Sequence, residues 1–253
     1  MASTIDLFIL LASPLIGSFV ETAYRRQSIS PTNLMQRSRC NNCATPLSPL
    51  QLIPIFSYLF SRGKCAKCGA GISAYYFMTE IGFLLVTLWA FWAAPNNAIY
   101  PTIVLGWLLV ILARIDFASL ILPDPLNFAV ALLAVSILPF SQSTNLLDHL
   151  VGGVAGFVLL WAIDAAYKRW RGYAGLGRGD AKLFGAIGLW VGLTGLPSVL
   201  LIASISGLVA AIGAALINRQ NLDRRTAIAF GPWLALGGWL TWLYGAVPFF
   251  PSL

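Results

Sequence analysis

Long apolar runs that carry no charge dominate this sequence and restrict the folds open to it. Of 253 residues, 58% are hydrophobic and only 10% are charged, whereas a soluble domain carries about 25% charged residues. A helix needs about 20 apolar residues to cross a hydrocarbon core. The sequence therefore predicts an all-α polytopic membrane protein with about eight transmembrane helices. The predicted spans cover residues 5–20, 74–94, 98–116, 125–140, 149–167, 181–194, 197–217 and 228–247.

The positions of Lys and Arg predict how these spans are oriented. All 16 basic residues lie in alternate connections or in the adjoining ends of spans, while the connections near residues 95–97, 141–148 and 194–198 carry none. Cytoplasmic loops of membrane proteins are enriched in Lys and Arg. We therefore expect both termini to be periplasmic. The loops expected in the cytoplasm are residues 21–73, 117–124, 168–180 and 218–226.

One connection is long and polar enough to fold outside the bilayer. It covers residues 21–73 and contains all four cysteines. The other connections are short, so they leave no room for a second soluble domain. The sequence therefore predicts three parts: a first transmembrane span (1–20), a cytoplasmic cysteine loop domain (21–73) and a transmembrane bundle (74–253).

The cysteines form two CxxC pairs, Cys40 with Cys43 and Cys65 with Cys68, separated by 21 residues. Two such pairs can offer four thiolates to one tetrahedral zinc ion. Disulfides are the alternative, but they seldom persist in the reducing cytoplasm. Four cysteine ligands leave no open position on zinc, so we predict a structural metal that braces the loop. We expect the basic residues beside these cysteines to serve topology and anionic lipid, with no nucleic acid as partner.

Carboxylates inside or at the edge of a span are costly and are therefore candidates for function. The candidates are Glu80, Asp116, Asp124, Asp164 and Asp180. Asp124 precedes Pro125, a pattern typical of a helix N-cap. Asp164 lies four residues before Lys168, which predicts an ion pair on one helix. Glu80 has no local partner, and its role stays open.

Asp116 and Asp180 stand apart from the other carboxylates. Asp116 ends the third span and Asp180 opens the sixth, both on the predicted cytoplasmic side, so the two side chains are able to meet. Two adjacent carboxyl groups do not easily both ionise, so one keeps a proton while the other activates water. The same arrangement also suits a proton relay in a transporter.

Glycine is frequent just before Asp180, in the run Gly175-Leu-Gly177-Arg-Gly179-Asp180. The run matches no nucleotide-binding fingerprint, because it lacks GxGxxG, a preceding strand and the P-loop lysine. We interpret the glycines as freeing the backbone to approach a substrate segment. A flexible turn before the sixth span is the alternative.

These motifs resemble those of the type IV prepilin peptidase family, whose signatures are I-D-x7-D and G-x-G-x-G-D-x-K. Here the first begins at Ile115-Asp116 and ends at Asp124, and the second runs from Gly175 to Lys182. The resemblance implies that Asp116 and Asp180 are the catalytic pair. It extends over most of the chain, through Gly17-Ser18-Phe19, Arg37 to Cys43, Leu52-Ile53-Pro54, Ser57, Gly63 to Cys68, Ile72-Ser73, Tyr76, Glu80 and Phe230-Gly231-Pro232.

The resemblance implies a bifunctional enzyme of the bacterial inner membrane. It would remove the leader of type IV prepilins or pseudopilins, as used in type IV pili and type II secretion, by cutting between Gly and Phe. It would then methylate the new N-terminus with S-adenosylmethionine as methyl donor. Two other functions remain open at this point: a proton-coupled transporter that uses the same carboxylates, and a non-catalytic assembly scaffold that binds partners through the zinc loop.

Overall fold

The computed structural model describes residues 3–27, 37–138, 145–172, 176–218 and 229–247. Every regular element in those ranges is helical, apart from two isolated β-bridges. The helices are α1 (Thr4–Gln27), α2 (Phe56–Phe60), α3 (Ala74–Ala93), α4 (Ile99–Ser119), α5 (Asp124–Ile137), α6 (Leu146–Arg171), α7 (Arg178–Asn218) and α8 (Gly231–Tyr244), with a short 3-10 turn at Pro49–Leu52. The predicted all-α class is confirmed.

Five helical stretches within the described residues are long and apolar enough to cross a membrane. They are Thr4–Arg26, Ala74–Ala93, Ile99–Ser119, Leu146–Arg171 and Arg178–Ile217. The fourth and eighth predicted spans correspond to α5 and α8, which have 14 residues each. At 1.5 Å per residue these two cover only about 21 Å.

Helix α7 is a helical hairpin and not one long rod. At Gly192 the backbone leaves helical geometry, with φ 71° and ψ 176°. A β-carbon added at Gly156 of α6 would lie 2.9 Å from the carbonyl oxygen of Phe184 and 3.3 Å from a methyl group of Leu196. In a straight helix Phe184 and Leu196 would be about 18 Å apart. The chain therefore reverses near Gly192, and the two arms of α7 correspond to the sixth and seventh predicted spans.

Small residues allow α6 to approach α7 closely. A β-carbon at Gly188 would lie 2.4 Å from the carbonyl oxygen of Gly152, and one at Gly185 would lie 3.0 Å from that of Gly153. Glycines spaced three or four apart are the usual means of bringing two membrane helices to backbone contact. This packing fixes the first arm of α7, which begins two residues before Asp180.

The chain divides into two compact units, residues 1–92 and residues 93–253. The first contains α1, the cysteine loop, α2 and α3, and the second contains α4 to α8. Leu112, Leu183, Phe184 and Leu234 are fully buried in the core of the second unit. The three-part division predicted from the sequence remains a prediction.

Candidate active site and cysteine cluster

Asp116 lies in the last turn of α4 and is buried, with 4% of its surface exposed. Its Oδ2 accepts a hydrogen bond of 3.0 Å from the backbone N–H of Gly231. Gly231 is the first residue of α8, and the free N–H groups at a helix N-terminus attract negative charge. The start of α8 therefore holds one oxygen of Asp116 in place.

Asp180 lies in the first turn of α7 and is 7% exposed. Its Oδ2 accepts a hydrogen bond of 3.1 Å from the N–H of Gly177. Its Oδ1 is buried and has no hydrogen-bond partner among the described residues. Buried polar atoms are nearly always paired in folded proteins, so this oxygen is available to a molecule that enters the site.

Leu122, in the segment between α4 and α5, connects the surroundings of the two aspartates. A β-carbon at Gly231 would lie 2.8 Å from Oδ2 of Asp116 and 3.1 Å from the Leu122 side chain, and one at Gly179 would lie 2.8 Å from Cβ of Leu122. The carboxyl groups of Asp116 and Asp180 are close enough for their charges to interact. The end of α4 and the starts of α7 and α8 thus bring both aspartates to one end of the bundle.

Two buried carboxyl groups in one small site favour a state in which they share a single proton. The ionised group can then take a proton from water while the protonated one donates. This is the chemistry that an aspartic peptidase needs. The geometry is compatible with the predicted catalytic pair, and the catalytic role itself remains a prediction.

The four cysteines converge in the other unit. The Sγ atoms of Cys40, Cys43, Cys65 and Cys68 all lie within 4.8 Å of one another. Cys40 and Cys68 are 3.8 Å apart at sulfur, well beyond the disulfide bond length of about 2.05 Å, and all four thiols are free. Four sulfurs at about 2.3 Å from a tetrahedral zinc would be about 3.8 Å from one another. The cluster therefore fits such an ion.

The two CxxC pairs are built in the same way. Cys40 N–H donates to the carbonyl of Thr45 (2.9 Å), and Cys65 N–H donates to the carbonyl of Ala70 (2.8 Å). Each turn is closed by an N–H to the carbonyl of its first cysteine, at 2.9 Å in both cases. The repeated turn directs the two thiols of each pair to one side, which is what a shared metal requires.

Hydrogen bonds favour the thiolate form at two of these cysteines. The hydroxyl of Thr45, followed by its backbone N–H, lowers the pKa of Cys43 to about 6. The backbone N–H groups of Cys68 and Lys67 lower the pKa of Cys65. Desolvation, together with the neighbouring Cys43 and Cys65 thiols, instead contributes to a raised pKa of Cys68. Metals bind thiolate and not thiol, so Cys43 and Cys65 are the thiols most favourable for a cation.

Two known protein families match consecutive parts of the chain. Residues 11–94 match the bacterial peptidase A24 N-terminal domain, and residues 103–212 match the type IV leader peptidase family. The first match contains all four cysteines, and the second contains both aspartates. The chain belongs to the type IV leader peptidase family. The resemblance inferred from the motifs is confirmed.

Similar proteins in this family carry the name prepilin leader peptidase/N-methyltransferase. One from Aeromonas hydrophila is 38% identical over 217 residues, which cover 85% of this chain and 74% of the relative. One from Dichelobacter nodosus is 35% identical over 214 residues, covering 84% and 73% respectively. One from Pseudomonas aeruginosa is 33% identical over 218 residues, again covering 84% and 73%. No solved structure matches the chain.

Gly177 and Gly179, two of the glycines before Asp180, leave space for close packing and do not adopt a left-handed backbone conformation. A β-carbon at Gly177 would lie 2.9 Å from Oδ2 of Asp180, and Gly179 faces Leu122. Neither Gly177 nor Gly179 has a positive φ. Gly175, the first glycine of the family motif, lies outside the described residues. The glycines thus let the chain close around the Asp180 carboxylate, and an approach by substrate remains a prediction.

The N-cap predicted at Asp124 is wrong. Helix α5 begins at Asp124 itself, with Pro123 in the cap position and no side-chain capping bond. Oδ1 of Asp124 instead accepts a hydrogen bond of 2.6 Å from Nζ of Lys182 in α7, and both side chains are exposed. The second aspartate of the I-D-x7-D motif therefore joins α5 to α7 beside the site.

The other two carboxylates have contacts that the sequence did not predict. Oδ1 of Asp164 in α6 accepts a hydrogen bond of 3.1 Å from the N–H of Leu176, which holds the segment ahead of Asp180. Glu80 in α3 is buried, and its Oε2 accepts a hydrogen bond of 2.6 Å from the N–H of Ile55. Ser18 of α1 also bonds to it. Both contacts are structural.

Sequence reasoning missed one residue that contacts the site and one buried polar residue of the bundle. Gly231 was noted only as part of Phe230-Gly231-Pro232, although its N–H holds Asp116. Asn127 in α5 is buried, and both polar atoms of its amide lack a hydrogen-bond partner in the described part of the chain. Its only sequence signal is a polar residue within an apolar helix, one turn after Asp124.

Proposed function

We propose that the chain is an aspartic endopeptidase that removes the leader of type IV prepilins or pseudopilins, with Asp116 and Asp180 as its catalytic pair. The observation that carries this proposal is the buried Oδ1 of Asp180, which has no hydrogen-bond partner among the described residues and lies within reach of the charge of Asp116. A water molecule bound at this oxygen would complete its hydrogen bonding.

In this mechanism the ionised carboxylate takes a proton from the water, and the water oxygen attacks the scissile carbonyl carbon. The protonated carboxyl group donates its proton to the amide nitrogen as the C–N bond breaks. One proton enters the pair and one leaves it, so the pair returns to its starting state. Such paired acid and base catalysis needs both side chains.

The substrate follows from family membership and the names of the relatives. We propose cleavage between Gly and Phe, at the junction of a basic leader and an apolar segment. We further propose that the chain methylates the new N-terminal amine with S-adenosylmethionine, because the relatives are named N-methyltransferase as well as leader peptidase.

The test is incubation of the purified protein with a synthetic peptide that joins a basic leader to an apolar segment through Gly–Phe. Mass spectrometry should find the two products of a single cut at that bond. With S-adenosylmethionine present, the product that begins with Phe should gain one methyl group. An intact peptide after incubation with folded protein would contradict the peptidase assignment, and cleavage without methylation would remove only the second activity.

We propose that zinc is the ion held by the four cysteines, and that it is structural. Four thiolates complete a tetrahedral shell and leave no position for water. The ion would therefore stabilise residues 37–73 and take no part in hydrolysis.

We propose a bacterial inner-membrane location with the cysteine loop in the cytoplasm and both termini in the periplasm. The one-sided distribution of Lys and Arg supports this orientation. After chelation of the metal, an impermeant thiol reagent should label the cysteines in permeabilised cells and not in intact ones. Labelling of intact cells would reverse the orientation.

A further inference from the structure

The cysteine loop exposes a group of large apolar side chains. They lie in residues 49–60, which comprise the 3-10 turn at Pro49–Leu52 and helix α2, and we call these residues the apolar segment. Phe60 is 85% exposed, Leu50 75%, Phe56 59% and Leu59 56%. A water-facing loop rarely gathers so many large apolar side chains, and such a patch marks an interaction surface or a membrane contact.

Two contacts hold the apolar segment against α3. The N–H of Ile55 donates to Oε2 of Glu80 at 2.6 Å. The rings of Tyr58 and Phe77 stack with their centroids 5.1 Å apart. Ile55 also has a positive φ of 64°, a conformation that is unfavourable for a β-branched residue. The bond to buried Glu80 stabilises this strained turn, so the position of the segment along α3 is defined.

That position is at the depth of the bilayer boundary. Helix α3 has 20 residues and is apolar enough to cross a membrane, and at 1.5 Å per residue its length of about 30 Å equals the hydrocarbon thickness. If Ala74 marks the boundary, Phe77 lies about 4.5 Å and Glu80 about 9 Å inside it. Residues 55–58 contact α3 at this level, within the 5–10 Å over which interfacial helices bury their apolar side chains.

The charges around the apolar segment fit a lipid surface. Between Glu21 and Glu80 the sequence contains no Asp or Glu. The same stretch has seven basic residues: Arg25, Arg26, Arg37, Arg39, Arg62, Lys64 and Lys67. Arg62 and Lys64 directly follow α2. Arg25 is paired with Glu21 at 2.6 Å, and the proposal uses Arg62 and Lys64. Apolar side chains beside such Lys and Arg residues are typical of segments that lie in an anionic leaflet.

We propose that the apolar segment lies in the bilayer leaflet next to the cysteine cluster. Phe56, Leu59 and Phe60 contact lipid acyl chains, and Arg62 and Lys64 contact anionic headgroups. The cysteine cluster is thereby held at the membrane surface and is not suspended in water. This inference rests on residues 21–80 and is independent of the peptidase proposal.

Photo-crosslinking from single positions tests this proposal. Benzoylphenylalanine is placed at Phe60 in the full-length protein, reconstituted in vesicles of phosphatidylethanolamine and phosphatidylglycerol. Leu85, an exposed residue of α3, is the lipid-facing control, and Asn41, an exposed residue of the cysteine loop, is the water-facing control. Adducts are identified by mass spectrometry after illumination.

Phe60 should give lipid adducts at a yield close to that of Leu85 and about tenfold above that of Asn41, as expected for a side chain in the acyl region. A second variant labelled at Phe56 should behave in the same way, which guards against a local folding defect at Phe60. The proposal is overturned if both positions give no lipid adduct while Leu85 does. It is equally overturned if they crosslink to polypeptide, either this chain or an added prepilin peptide.

Discussion

The two units of the chain use their buried carboxylates in different ways. Glu80 in residues 1–92 and Asp180 in residues 93–253 are similarly buried. Glu80 receives hydrogen bonds from Ile55 and Ser18 and braces a strained turn. Asp180 keeps one oxygen without a partner in the described residues and lies near a second carboxyl group. Both are costly to bury, so their hydrogen-bond partners distinguish the structural role of Glu80 from the catalytic role proposed for Asp180.

The units also differ in what stabilises them. The bundle has a core of fully buried apolar side chains, including Leu183, Phe184 and Leu234. The cysteine loop leaves Leu50, Phe56 and Phe60 exposed and buries few of its apolar side chains, so it has little core of its own. Small segments without a sufficient core commonly depend on a metal or a disulfide. The cysteine cluster should therefore stabilise the loop and not the bundle.

The strongest test of this comparison removes each carboxylate of the proposed catalytic pair. Asp116→Asn or Asp180→Asn should lower the rate of leader cleavage by about 10³-fold or more, since each removes the acid or the base of the reaction. Asn has nearly the same shape but does not exchange the proton. The measurement is the cleavage rate of a prepilin peptide by purified variants. Cleavage close to the wild-type rate by either variant would show that the buried pair is not the catalytic one.

A substitution that displaces the Asp116 carboxylate without removing it should lower the cleavage rate by a smaller factor. In Gly231→Ala the new methyl group would lie 2.8 Å from Oδ2 of Asp116 and 3.1 Å from Leu122, so the carboxylate has to shift. A displacement of about 1 Å at a reacting group can cost about 10²-fold in rate. We expect cleavage to fall by about 10- to 100-fold.

Gly213→Ala is the matched control, because a β-carbon there meets no atom within 4 Å. It should leave cleavage unchanged, and both variants should insert and fold alike. Equal losses in the two variants would mean that alanine disturbs the bundle in general and that the contact at Gly231 is not specific.

The sequence predicts the parts of this account that depend on local pattern or on specific motifs. The spacing of the CxxC pairs predicts the cluster, and the two aspartate motifs predict the pair at one end of the bundle. The role of Asp124 was misassigned because Asp-Pro at a helix start is typical of a cap, and its real partner Lys182 lies 58 residues further along the chain.

Two further features depend on packing that no local pattern reveals. The bond from Ile55 to Glu80 joins a loop to a span 25 residues away. The chain reverses at Gly192, and the residues on both sides of this glycine are helical. The sequence predicted the connection a few residues later, at residues 194–198. Helix α6 packs directly against this turn, because a β-carbon at Gly152 would lie 2.6 Å from the carbonyl carbon of Gly192.

Metal removal should destabilise the cysteine loop and leave the bundle unchanged. The purified protein should contain about one zinc ion per chain. Chelation, or Cys40→Ser, should raise hydrogen exchange in residues 37–73 by about tenfold or more and leave α7 protected, because local unfolding follows loss of the ion. A simultaneous loss of protection in α7 would mean that the loop also supports the bundle.

The smallest effect should come from the ion pair beside the site. Asp124 and Lys182 are both exposed, and exposed ion pairs contribute at most about 1 kcal/mol. Asp124→Asn should therefore lower the free energy of unfolding by less than about 1 kcal/mol and cleavage by less than about fivefold. A loss as large as that of Asp116→Asn would assign Asp124 to the catalytic machinery.

The central claim is that Asp116 and Asp180 act as one unit, and the double variant tests it most directly. Single-turnover cleavage should be measured for the wild type, both single Asn variants and the double variant in the same vesicles. Residues that act as a unit do not contribute additively, so the double variant should be no slower than the slower single variant. If the two losses multiply, the aspartates contribute independently, and a shared acid and base mechanism is contradicted.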